Sequence, residues 1–98
     1  MITVKPDARL SILHMAARLT TARHDPVAVA VNAGALLAWV EDASEDRDAR
    51  ARLDAMKQHS HNLQMTRLNR DEHPEDDNPE ELLRGAKFLY SFAVAGEA

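Results

Sequence analysis

Residues 25–42 read DPVAVAVNAGALLAWVED, and how this stretch folds decides the architecture of the whole chain. Asp25-Pro26 is a helix start: the aspartate oxygen can accept from free amides of the first turn, and proline at the first helical position has no amide to leave unsatisfied. The alternation of Val27, Val29 and Val31 would also suit a strand. The Ala- and Leu-rich run behind it, together with the cap in front, decides for a helix over about 26–42. Ala30, Gly34 and Ala38 recur every four residues, so one side of this helix is almost bare backbone. A second helix can pack there at the short end of the usual range of roughly 8–10 Å. These three residues and Trp39 are the candidate interaction residues.

Toward the N-terminus, Ile2-Thr3-Val4-Lys5 alternates apolar and polar side chains until Pro6 stops it, which predicts a short extended arm over 2–5. With Asp7 as cap, a helix is expected over about 8–22. Leu10, Leu13 and Ala17 form one apolar stripe beside Ile12, Ala16 and Leu19, and Ser11, His14, Arg18 and Thr21 form the polar one. Toward the C-terminus, Ser44 is placed as a cap, and Ala49, Leu53, Met56, Ser60 and Leu63 make the seam of a helix over about 45–70. His59-Ser60-His61-Asn62 holds weak helix formers, and a kink is expected near 59–62. An acidic loop at 71–78 follows, within a stretch, DEHPEDDNPEE, that carries seven acidic side chains and two prolines. Asn78 and Pro79 then start a last helix over about 79–95, with Leu82, Ala86, Leu89 and Ala93 facing inward and Gly96 as its stop. The reading is all-α: a compact four-helix domain with a short extended N-terminal arm, formed by residues 1–98 as one domain.

Composition narrows the function classes. Of the 98 residues 45% are apolar but only 4% aromatic, so the interior must be built from Ala, Leu, Val and Met. Without cysteine there can be no disulfide, thiolate nucleophile or thiolate metal site, and a cytoplasmic location is expected. The opening MITVKPDARL has no basic segment followed by an apolar run, so no secretory signal is expected. The apolar run Val27–Val40 is shorter than the roughly 20 residues of a bilayer span, which excludes a membrane partner. The net charge is −4, with residues 1–40 carrying +2 and residues 41–98 carrying −6. A net acidic chain disfavours nucleic acid, whose binding is driven by neutralising phosphates with Lys and Arg.

No constellation of residues points to chemistry. His59 and His61, two apart on a helix, diverge by about 200° and cannot share an ion. The acidic loop lacks the turn glycine of a calcium loop. Ser11, Ser44, Ser60 and Ser91 stand in no strained turn, and three glycines make no phosphate cradle. The chain is therefore expected to be no enzyme and to carry no catalytic residues, metal or cofactor.

Two resemblances add expectations. The order arm, helix, tight turn, helix in residues 1–42 resembles ribbon-helix-helix transcriptional regulators, in which two arms pair across a dimer and enter the major groove of DNA. That likeness implies base-facing roles for Thr3 and Lys5 and a phosphate contact for Arg9. The Ala-, Arg- and Asp-rich composition, the segment DPVAVAVNAGALLAWVEDA and the ending NPEELLRGAKFLYSFAVAG resemble small all-helical accessory proteins of actinobacteria and their phages. That likeness implies a mobile-element protein that acts by binding another protein. The leading expectation is a non-enzymatic protein–protein interaction module, partnered with itself as a homodimer and with an unidentified protein.

Overall fold

The computed structural model describes residues 3–21, 24–67 and 78–95, and among them the chain is all-α. Four helices follow one another: α1 (Pro6–Leu19), α2 (Pro26–Glu41), α3 (Asp46–Arg67) and α4 (Pro79–Ala95). α1 packs chiefly on α2 and α3 on α4, and α2 joins the two pairs by touching both α3 and α4. The core lies where they meet, with Ile12, Met15, Leu36, Val40, Met56 and Leu82 as its largest fully buried aliphatic side chains. Val4 of the arm is buried against the same core.

The first helix departs from its expected limits at both ends. It begins at Pro6 and not near residue 8, and Lys5, not Asp7, occupies the cap position. Proline's fixed φ suits the first helical position, which leaves Asp7 in the first turn, where its charge faces the positive end of the helix. It stops at Leu19, not residue 22, because Thr20 is extended at φ −93° and ψ 121°. The buried Thr20 hydroxyl holds that bend by donating to the Ala16 carbonyl at 2.6 Å and accepting from Asn32 Nδ2 at 2.9 Å. The stripes are also rotated from expectation: Ile12, Met15, Ala16 and Leu19 are buried, while Leu10 and Leu13 stay 54% and 38% exposed. Ser11 and Arg18, expected in water, are half-buried. Each has an acceptor, Ser11 the Asp7 carbonyl and Arg18 the Gln64 side chain.

At the start of α2, Asp25 accepts from Val27 N–H at 3.0 Å, the cap that its sequence predicts. The first backbone bond of α3 runs from Ala49 N–H to the Glu45 carbonyl, so Glu45 rather than Ser44 is the cap residue. α3 is unbroken through residues 59–62. Tertiary packing outweighs weak propensity there: Ser60 is buried, and the His59 imidazole fills the space beside Gly85 of α4. The seam at Ala49, Leu53, Met56 and Ser60 is buried as its spacing predicts. The expected continuation to residue 70, the loop at 71–77, Ile2 of the arm and the stop at Gly96 lie outside the described residues. On α4, Leu82 and Ala86 are buried, but Ala93, expected inside, is exposed.

Candidate functional site

α2 has two unlike faces. Ala33, Leu36 and Val40 point into the core. The opposite face is formed by Val27, Ala30, Val31, Gly34, Ala35 and Ala38, all exposed, so that about three turns of helix present no charge and no polar side chain to solvent on this side. Of the polar residues within this helix, Asn32 is tied to Thr20 and Glu41 stands at the last position. Val27 and Val31 are 68% and 67% exposed. Withdrawing what remains of each from water is worth about 1–2 kcal/mol. A Cβ added at Gly34 would meet nothing within 4 Å. The small-residue stripe that the sequence offers to a neighbouring helix is thus left open by the chain's own helices.

Trp39 lies apart from this stripe. It is half-buried, with its ring edge-on to Tyr90 at 5.7 Å and 83°. The Arg52 guanidinium sits 5.5 Å from the centroid of each ring. It also donates to the Trp39 carbonyl at 2.8 Å and pairs with Asp48 at 3.2 Å. The Tyr90 hydroxyl donates to the other Asp48 oxygen. That hydrogen bond to a carboxylate, with partial burial, raises the Tyr90 pKa above its ordinary value, against a smaller opposing pull from Arg52. The last turn of α2 has no basic residue of its own, and Arg52 supplies the missing cation from α3. Trp39 therefore serves to join α2, α3 and α4. Sequence reading passed over this cluster, although the Asp48–Arg52 spacing of four was a visible signal for half of it.

The residues implied by the ribbon-helix-helix likeness lie in the arm and the first turn of α1. Thr3, Lys5 and Arg9 are exposed. The arm forms no strand among the described residues, and its Val4 is spent on the chain's own core. Thr3 and Lys5 line a cleft of about 140 Å³ together with Val4, Ala8, Val40, Asp46, Ala49, Arg50 and Leu53. His59 and His61 diverge, the first packed beside Gly85 and the second exposed. Among the described residues no group of three or more His, Asp or Glu side chains could hold a metal ion. No described helix is long and apolar enough to cross a membrane.

No family model, curated protein or solved structure matches the chain.

Proposed function

We propose that this chain is a non-enzymatic protein–protein interaction module and that the outward face of α2 is its binding surface, occupied first by a second copy of the same chain. The single observation that carries this reading is the uncharged, wholly apolar exposed face of α2. Its relief is self-complementary, since Val27 and Val31 stand as ridges beside the hollow of Ala30, Gly34 and Ala38. Two copies related by a two-fold axis can seat the valines of each in the hollow of the other, and no charge opposes the approach.

The scale of the surface sets the strength expected. A helix of 16 residues is about 24 Å long, and a strip about 10 Å wide along it offers on the order of 250 Å² per protomer. A stable interface covers about 800 Å² per partner. The α2 face alone therefore supports a weak dimer, in the micromolar range, and a tighter complex must also cover neighbouring apolar surface such as Leu10 and Leu13 of α1, which packs on α2. We further place the protein in the cytoplasm, on its lack of cysteine, and read it as an accessory protein of a mobile element, on its likeness in composition to such proteins. The burial of Val4 weighs against a DNA-binding arm, which must leave its own core to pair with a second copy.

Sedimentation velocity from about 1 to 200 µM tests the proposal. The parent protein is expected to shift from monomer toward dimer across this range. Val31→Glu, at a position that makes little demand on the fold, is expected to stay monomeric with an unchanged melting temperature. A parent protein that is monomeric throughout removes the self-association.

A further inference from the structure

The cleft beside the N-terminal arm has room for a small ligand. A second hollow, near Met15, Leu63 and Leu82, has only about 10 Å³, no more than one water occupies. The first has about 140 Å³, the scale of a space that admits one benzene-sized group. Its floor is aliphatic: Val4, Ala8, Val40, Ala49 and Leu53 line it. Its polar rim is Thr3, Lys5, Asp46 and Arg50. Lys5 and Arg50 are both exposed, and neither forms an ion pair among the described residues. The rim therefore carries two uncommitted cations against one carboxylate, over a floor that excludes a purely polar guest.

We propose that this cleft binds a small free carboxylic acid with an aliphatic tail of about four to six carbons, the tail on the aliphatic floor and the carboxylate between Lys5 and Arg50. The volume sets the tail, because one compact apolar group fills it and further methylenes would extend into solvent and gain little. The charge balance fixes the head, because a carboxylate gains two donors at the rim, whereas an ammonium would meet two like charges. A C-terminal residue of a peptide shares this chemistry, but it would bring a further amide and chain to a space sized for one group.

Hexanoate serves as the probe, followed by isothermal titration and by amide chemical shifts in the full chain. Saturable binding with shifts at Val4, Ala8, Val40 and Leu53 is expected. Each methylene withdrawn from water adds about fourfold, so hexanoate, with two more than butyrate, should bind about 16-fold more tightly. Hexanamide, equal in shape but uncharged, should bind more weakly. Lys5→Ala with Arg50→Ala, two exposed positions that leave the core intact, should weaken hexanoate about fivefold and abolish its advantage over hexanamide. Ala8→Leu should occlude the cleft, and the melting temperature confirms that the variant is folded. Equal binding of hexanamide and hexanoate, non-saturating shifts scattered over the surface, or tighter binding of N-acetyl-leucine than of hexanoate would each overturn the proposal.

Discussion

Gly34 and Gly85 are chemically identical and lie inside helices, yet the same substitution should move stability in opposite directions. Replacing a mid-helix glycine by alanine stabilises by about 1 kcal/mol, because the unfolded chain has fewer conformations to lose. At Gly34 nothing lies within 4 Å of the new methyl group, so the full gain is expected. At Gly85 the methyl group would land on the His59 imidazole, with Nε2, Cδ2 and Cε1 all inside contact distance. The ring must then leave its place between α3 and α4. Overpacking of this kind costs about 1–3 kcal/mol, which offsets the gain and leaves a net loss of up to about 2 kcal/mol. Urea unfolding followed by circular dichroism, at a concentration where the chain is monomeric, should show Gly34→Ala raised and Gly85→Ala lowered in midpoint, with similar slopes. For a chain of this length the change in melting temperature is about 4–8 °C per kcal/mol. Adding His59→Ala to Gly85→Ala should restore part of the loss, as coupling between touching residues requires. If the two alanine variants gain equally, the close approach of α3 to α4 at this point is wrong.

Three further outcomes are expected. Arg52→Met should lower stability by about 2–4 kcal/mol by stranding the Asp48 carboxylate and the Trp39 carbonyl, and Arg52→Lys should recover only part of it, since one ammonium cannot reach both acceptors as the forked guanidinium does; full recovery in urea midpoints would count against that shared contact. The folded-state pKa of Tyr90 lies above its ordinary 10.0, so its contribution is fully present below about pH 10 and is lost as the pH climbs through the folded value. Since the chain has one tyrosine, absorbance at 295 nm follows this group alone, and Tyr90→Phe should flatten the alkaline arm of the stability profile; a folded-state midpoint at or below 10 refutes the assignment. Thr20→Val should cost about 1–2 kcal/mol by leaving the Asn32 amide without its acceptor, and the variant Thr20→Val with Asn32→Ala should be no worse than Thr20→Val alone.

The extent of helix was readable because each segment declares itself twice, by period and by boundary. Asp25-Pro26 and Asn78-Pro79 mark starts whose chemistry allows little else, and Ala49, Leu53, Met56 and Ser60 share one face by spacing alone. The errors arose where a choice between faces depends on what arrives from elsewhere in the chain. Nothing local distinguishes Leu10 and Leu13 from Ile12 and Met15 as the inner residues of α1, and Asp7 is as good a cap in isolation as Lys5 is a poor one. The bare stripe on α2 was legible as a surface seeking cover, but not that the chain's own helices leave it open, because that depends on where α1, α3 and α4 come to rest. The cluster around Arg52 joins residues as far apart as Trp39 and Tyr90, and the cleft joins Thr3 to Leu53. No periodicity spans such separations.

The reliance of α2 on Arg52 has a consequence during synthesis. A helix with one internal amide side chain and no cation of its own emerges from the ribosome before the residue that steadies its last turn, eleven positions later, has followed it out. At about 5–20 residues per second that interval lasts on the order of a second. Throughout it, both the face destined for the interior and the face that stays outside are bare to solvent. The nascent chain is then at its stickiest, and a pause in translation while α2 is out and Arg52 is not should increase its capture by chaperones more than a pause after Arg52 has emerged.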